Sequence, residues 1–331
     1  MSSLSVWKNR RVLVTGAGGF IGSHLAERLA QLGAHTRCFL RYTSQGSLGW
    51  LSALASRPHI EVIHGDIRDY ESVLQAADGV DVIFHLAALI GIPYSYHSPR
   101  SYLHTNIDGT LNVLEAAKRL STDRLICTST SEVYGSAVYV PIDENHPLQG
   151  QSPYSATKIG ADKIAESYYL SFGLPISIAR PFNTYGPRQS SRAVIPTIIT
   201  QALAQSSVKL GNLDSTRDFN YVSDTVEGFI AIAEAPATIG KTLNIGSGTE
   251  TSIRELTEVI FDLIGTKSPI EIEEQRVRPA ASEVDRLCAN SLLLSQLTTW
   301  RSRIPLREGL TRTIEWIGQN LEAYSVGTYA I

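Results

Sequence analysis

The stretch RRVLVTGAGGFIGSHLAERLAQLG, near the start of the 331-residue chain, constrains the fold more than any other. Val12, Leu13 and Val14 form a short apolar run that reads as a buried strand. Gly16, Gly19 and Gly22 follow at regular spacing, and Ile21, Leu25, Leu29 and Leu32 then mark the apolar face of a helix. Glycines at a strand-to-helix turn let the backbone approach a pyrophosphate, and the new helix N-terminus offers free N–H groups and positive potential. A glycine triplet alone is a weak signal; a strand before it and a helix after it make it specific. The next strand, HTRCFL, ends at Leu40 and Arg41 rather than at the acidic residue that would bind the adenosine ribose. Arg41 is either an exposed charge at a strand end or a partner for a 2′-phosphate, which would point toward NADP+.

Further strand–helix units follow. EVIHGDI is a strand reaching Asp66, VDVIFHLAA a strand ending in small residues, SYLHTNIDGTLNVLEAAKRL a helix and RLICTST the next strand. This alternation predicts an α/β fold: a doubly wound (Rossmann) parallel sheet with ligands at the carboxyl ends of its strands. TSTSEVYG, Thr128 to Gly135, lies at one of those ends and sets Glu132 among hydroxyls. After ISIARPFNTYGP the alternation weakens. ALAQSSVKLGNLDSTRDFNYVSD reads as loop-rich with one short strand, NIGSG as another, and TSIRELTEVIFDLIG as an amphipathic helix. The expected division is residues 1–180, with 218–248 returning, as the dinucleotide-binding domain. Residues 181–217 and 249–331 form the smaller C-terminal substrate-binding domain.

Composition narrows the partners. A formal net charge of -3 argues against a general nucleic-acid surface. No apolar run is long enough to span a membrane, and MSSLSVWKNR lacks the apolar core of a signal peptide. Cys38, Cys127 and Cys288 have no metal-binding spacing and read as reduced thiols, so a cytoplasmic location and no metal are expected.

SPYSATKIGADKIAESYYLSFG opens as a helix at Ser-Pro and closes at Gly. Tyr154 and Lys158, four residues apart, share one face of it. A tyrosine with a pKa of about 10 is a poor base at neutral pH. A nearby ammonium and a positively charged nicotinamide ring would both favour phenolate. With a strand-end hydroxyl to share the proton, this unit can deprotonate an alcohol while hydride leaves for nicotinamide.

TGAGGFIGSHL, GDIRD, HLAA, TNIDGT, TSTSEVYG, PYSATK, RPFNTYGP and RDFNYVSD occur in that order. Together they resemble the extended short-chain dehydrogenase/reductase family acting on nucleotide-linked sugars, over essentially the whole chain. The resemblance implies that Thr130 is the hydroxyl beside Tyr154, and that Lys158 holds the nicotinamide ribose and tunes Tyr154. It implies that Asp66 and Ile67 frame the adenine, and that Phe20, Ile21, Leu86, Ala87, Ala88 and Asn106 also line the cofactor. The cofactor is NAD+ by resemblance, tightly bound and recycled, with Arg41 as the departure that favours NADP+. Arg217 and Arg278 match the diphosphate-binding arginines, and Asn183 is expected at the diphosphate or its loop. Val194, Ile195 and Pro196 are expected near the base, and Tyr94 and Ser95 near the hexose. His85 reads as a packing residue.

Glu132 is similar to the acid carried by sugar 4,6-dehydratases, where epimerases carry small or hydroxyl residues. Oxidation at C4 makes the C5 proton acidic; a carboxylate can take it, and the C6 hydroxyl leaves as water. Ser131 precedes Glu132, as in GDP-mannose dehydratases, so Glu132, Ser131 or a water protonates the leaving group. The same triplet resembles UDP-glucuronate decarboxylases, which lose CO2 from C5. ALIGIPYSYHSP and YVPIDENHPLQGQSPYSATKIGAD look like UDP- or GDP-N-acetylglucosamine 4,6-dehydratases of legionaminic-acid-type pathways. The alternatives are a UDP-sugar 4-epimerase, a UDP-glucuronate decarboxylase, or a non-catalytic dinucleotide-binding regulator. By resemblance a homodimer is expected, through a four-helix interface of Tyr102–Leu120 and Tyr154–Phe172 with their copies.

Overall fold

A computed structural model describes residues 6–327. The outermost residues of the two expected domains, 1–5 and 328–331, lie outside it, and with them half of the N-terminal segment read above for a signal peptide. In chain order the strands are β1 (Arg11–Thr15), β2 (His35–Arg41), β3 (Ile60–Gly65), β4 (Val82–His85), β5 (Arg124–Thr128), β6 (Ile176–Pro181), β7 (Asn183–Tyr185), β8 (Val208–Leu210), β9 (Thr216–Tyr221), β10 (Thr242–Ile245), β11 (Glu250–Ser252) and β12 (Ile270–Ile272). The longer helices are α1 (Phe20–Gln31), α2 (Tyr70–Ala77), α3 (Gly109–Leu120), α4 (Pro153–Phe172), α5 (Val194–Ala204), α6 (Val222–Glu234), α7 (Ile253–Ile264) and α8 (Leu306–Gln319).

Seven parallel strands form the main sheet in the order β10-β6-β5-β4-β1-β2-β3. The apolar runs are unbroken because both faces are covered. Val12 and Val14 enter one core with Leu25, Leu29 and Phe229, while Leu13 enters the other with Val73, Val113 and Ala165. Phe84 and Ile126 follow the first pair, Ile83 and Leu125 the second. Strand order reverses between β1 and β4, which opens the ligand crevice at their carboxyl ends.

Local signals place the helices around that crevice. Ser152 caps α4 in a capping box with Ser155, and Gly173 ends it in the left-handed conformation. Ser252 and Glu255 form the same box at α7, closed by left-handed Gly265. The expected single helix over SYLHTNIDGTLNVLEAAKRL is instead a short turn at Pro99–Tyr102, a π-helical turn at Leu103–Asp108, and α3. The wider turn accompanies a tertiary demand on Asn106, whose amide hydrogens are engaged by Leu89 and Thr157.

The segment expected to be loop-rich holds two strands, β8 and β9, because each finds a distant partner. β8 pairs with β12, and β9 lies between β7 and β11. Within the returning segment, β9 therefore stays in the small sheet. α6 and β10 rejoin the large one, α6 packing on β5 and β6 and β10 pairing with β6. Among the described residues no helix is long and apolar enough to cross a membrane, and no cluster of His, Cys, Asp and Glu could hold a metal. The three cysteines are buried and free.

Candidate active site

The glycine turn is shaped by close approach. Gly16 has φ +72°, and a Cβ there would meet the Ala87 amide nitrogen at 2.9 Å; one on Gly22 would meet the Gly16 carbonyl oxygen at 2.3 Å. Helix α1 then starts at Phe20 and Ile21 with Gly19 as its N-cap and no side-chain cap, so its first N–H groups face outward for an anion. Against this turn lies the end of β4. Thr15 Oγ1 accepts from the Leu86 and Ala87 amides, both at 3.1 Å. His85 bridges Thr15 and Thr110 at 2.9 and 3.0 Å, and burial pushes its imidazole down to about 3. It is a neutral structural histidine, as expected from its strand position.

Arg41 is exposed at the end of β2, in register with Gly65 and close enough to lower the Asp66 carboxyl. The larger cause of that lowering is Arg68, which grips the Asp66 side chain. The Ile67 carbonyl accepts from Asn112 at 3.0 Å. Asn106, expected at the cofactor, is placed differently. Its side chain accepts from the Leu89 amide and donates to the Leu89 carbonyl and the Thr157 hydroxyl, so it clamps the turn after Ala88.

Around Tyr154 the expected constellation converges. Thr130, two residues past the end of β5, is the N-cap of a short 3-10 turn, Ser131–Tyr134, and its hydroxyl acts to lower the Tyr154 phenol. Burial pushes that phenol well above the usual tyrosine range; the Thr130 contact opposes the shift and the Glu132 charge adds to it. The Lys158 ammonium does not turn to the phenol. It donates to the Thr128 carbonyl at 2.5 Å, and burial lowers its pKa. The phenolate favoured in the sequence reading is thus not what the protein's own groups favour.

Glu132 is largely buried within electrostatic reach of this site. Its charge raises both the Tyr154 phenol and the Arg217 guanidinium, and Arg278 Nη1 lies 3.9 Å from its Oε2. Ser131 is buried beside it. Arg217, on β9, is buried, and Nη1 of Arg278 is buried with no hydrogen-bond partner. Asn183, on β7, has its Oδ1 buried and equally unpartnered. Buried donors and acceptors without partners are costly, and they mark where a polar ligand fits.

With that geometry established, the family model for GDP-mannose 4,6 dehydratase matches residues 13–313. The chain belongs to that family. It is a member of the extended short-chain dehydrogenase/reductase group of nucleotide-sugar dehydratases, epimerases and decarboxylases. The chain is 34% identical to an uncharacterised UDP-glucose epimerase of Bacillus subtilis, over 93% of this chain and 98% of the relative. It is 33% identical to a UDP-N-acetyl-alpha-D-glucosaminuronate decarboxylase of Bacillus cytotoxicus, over 93% and 97%. A dTDP-glucose 4,6-dehydratase of Streptomyces venezuelae, solved with NAD bound, superposes with a TM-score of 0.89 at 29% identity, covering 95% of this chain and 99% of that one.

A cavity of about 240 Å³ lies beside Tyr154, lined by Ala88, Leu89, Ile90, Gly91, Tyr94, Tyr102 and Arg192, and the Tyr102 ring packs edge-on against Tyr154. Tyr94 reaches this cavity. Ser95 does not: it is fully buried and its hydroxyl donates to the Ile92 carbonyl, which corrects its expected place at the hexose. Of the three residues expected near the base, Ile195 and Pro196 are buried, Ile195 within the large core; Val194 alone keeps some exposure. Behind Tyr154 and Lys158, one further helical turn along α4, Asp162 accepts from Ser129 at 2.6 Å and pairs with Arg180 at 2.9 Å. Arg180 donates onward to the Tyr134 hydroxyl. The i, i+4, i+8 spacing of Tyr154, Lys158 and Asp162 was the signal available for it.

Proposed function

We propose that this protein is an NAD+-dependent nucleotide-sugar 4,6-dehydratase acting on UDP- or GDP-N-acetylglucosamine. The observation that carries the reading is Glu132, a carboxylate placed between the Tyr154–Thr130 pair and Arg278. When bound, the nicotinamide would accept the C4 hydride in its oxidised form and donate it to C6 in its reduced form, and the positive charge of the oxidised ring would oppose the burial effect on Tyr154.

The chain's residues do the rest. The glycine turn and the uncapped start of α1 receive the pyrophosphate, and Asp66, Ile67 and Leu86–Ala88 flank the nucleoside. Arg217, Arg278 and Asn183 bind the sugar-nucleotide diphosphate, with Val194 towards the base. Tyr154 accepts the C4 hydroxyl proton, with Thr130 sharing it. The resulting ketone acidifies the C5 hydrogen, and Glu132 takes it. Protonation of the C6 hydroxyl, by Glu132 itself or through Ser131, releases water and leaves a 5,6-alkene; the hydride taken from C4 would return to C6, and a proton exchanged with solvent returns to C5. The product is a 4-keto-6-deoxy sugar. An epimerase needs no acid at this position, whereas a decarboxylase would also start with oxidation at C4.

The domain division proposed is that read from the sequence, with the return moved from 218 to the start of α6 because β9 stays in the small sheet: residues 1–180 with 222–248, and 181–221 with 249–331. The rejoining of β10 to the large sheet supports it. Leu103, Leu111, Leu170 and Phe172 leave exposed apolar surface on the helices expected to pair with a second copy, which supports a homodimer. A cytoplasmic location is part of the same reading.

Incubation with UDP- and GDP-N-acetylglucosamine in heavy water tests the function. The reading expects loss of one water and deuterium at C5. A C4 epimer without mass loss, or CO2 release from UDP-glucuronate with no dehydration of either substrate, would overturn it.

A further inference from the structure

Arg217 and Arg278 converge on a carboxylate that the sequence reading did not single out. Arg217 Nη2 lies 3.4 Å from Glu283 Oε1, and Arg278 Nη1 lies 3.8 Å from the same oxygen. The Val284 amide donates to that oxygen at 3.1 Å. Arg278 Nη1 is also the atom 3.9 Å from Glu132. The side chains of Arg217 and Glu283 are 8% and 15% exposed, so water does little to screen them. A well-made guanidinium–carboxylate bond is about 2.7–2.9 Å long. Every arginine–carboxylate distance in this cluster exceeds that length, and the Arg278 donor satisfies no hydrogen bond.

The charges balance. Two guanidinium groups face two carboxylates, and a diphosphate would bring at least two more negative charges into the same small volume. The buried donors cannot serve Glu283, Glu132 and a diphosphate together, and a buried charge left without a partner is strongly unfavourable. Oxygen atoms of a diphosphate are the better match for two converging arginines, because they can accept bidentate bonds.

We propose that Glu283 is a built-in competitor for the diphosphate. It holds the position between Arg217 and Arg278, and sugar-nucleotide binding displaces it. The same step draws Arg278 away from Glu132, so the carboxylate loses the nearer of its two cationic neighbours only when substrate is seated. This rests on the reading of Arg217 and Arg278 as diphosphate residues. Glu283 acts through the arginines and is a positioning residue. It keeps two buried guanidinium groups compensated at the expense of nucleotide affinity.

The sign of one measurement separates this from a purely structural role. Titration calorimetry with UDP, GDP and dTDP on the cofactor-loaded enzyme gives the dissociation constant of whichever nucleotide binds best. Glu283→Gln keeps the shape and removes the charge. Its dissociation constant is expected to fall about fivefold or more, with KM for the sugar nucleotide falling and kcat not rising. A residue that merely orients Arg217 gives the opposite: weaker binding on neutralisation. Glu283→Asp, which keeps the charge but draws it back by one methylene, should bind with intermediate affinity; it carries the test alone if the glutamine variant does not fold. Unchanged or weaker binding in either folded variant overturns the proposal. If the wild-type enzyme binds none of the three nucleotides, the diphosphate reading fails first and takes this one with it.

Discussion

Replacing Glu132 by Gln tests the chemistry most directly, because the structure predicts opposite effects on two steps. Glutamine fills nearly the same volume but cannot accept the C5 proton. General base catalysis is worth about 10²–10⁴ in rate, or about 3–5 kcal/mol of barrier. The structural cost is smaller. The substitution removes the ion pair with Arg278 at 3.9 Å, an attraction of about 1 kcal/mol at the dielectric of water and about 4 kcal/mol at an effective value near 20. The recovered desolvation of Glu132, and Glu283 still 3.8 Å from Arg278, offset much of it, which leaves a stability loss of about 1–2 kcal/mol against a folding free energy of about 5–15 kcal/mol. The fold therefore survives while dehydration falls by at least about a hundredfold. The first step moves the other way. The Glu132 charge raises the Tyr154 phenol, so its removal leaves more of the residue as the phenolate that can accept the C4 hydroxyl proton. The variant should reduce its bound nicotinamide on addition of sugar nucleotide, seen as the near-ultraviolet absorbance of the reduced ring, and then stall without exchange at C5. Dehydration within tenfold of wild type would show that Glu132 is a structural carboxylate, and failure to reduce the cofactor would misplace it in the order of steps.

Tyr154→Phe should lower the rate of cofactor reduction by about a hundredfold or more, since Thr130 alone cannot take the proton; reduction at the wild-type rate in a stopped-flow assay would remove Tyr154 from the reaction. Arg41→Leu should leave NAD+ affinity within about twofold and weaken NADP+ about tenfold, the worth of one charge-assisted contact. Unchanged preference between the two in equilibrium binding would show that Arg41 does not read the ribose. For pH, the buried His85 has its pKa lowered to about 3 in the folded state. The unfolded chain binds the extra proton below about 6.5, so this group's contribution to stability is intact above that pH and is lost as pH falls towards 3, by up to about 1.4 kcal/mol per unit. His85→Gln should flatten the slope of urea stability against pH in that window; an unaltered slope would assign the acid sensitivity elsewhere.

How much of this was legible in sequence depends on the range of the interaction. The glycine turn, the caps of α4 and the Tyr154–Lys158 spacing are set within a few residues by backbone sterics and helical repeat. The turn and the α4 caps stood where expected. Thr130 and Glu132 were readable because a strand end in a parallel sheet has a known relation to the ligand crevice. What failed depended on partners far away in the chain. One short strand was expected where β8 and β9 both form, because short strands carry little signal without their neighbours, β12, β7 and β11. Ser95 and Asn106 carry polar groups suited to a ligand, but the fold engages them internally.

The sequence by itself determined the α/β class, the dinucleotide turn and the reactive helix, because periodicity and local stereochemistry act before the chain is folded. Only the tertiary structure decided the charge state around them. It buried Tyr154 and tied Lys158 to the Thr128 carbonyl. It also brought Glu283 and Arg278, about 150 residues further along the chain, into the neighbourhood of Glu132. Electrostatic energies depend on distance and burial rather than on spacing along the chain, so that arrangement exists only once the two sheets have been assembled.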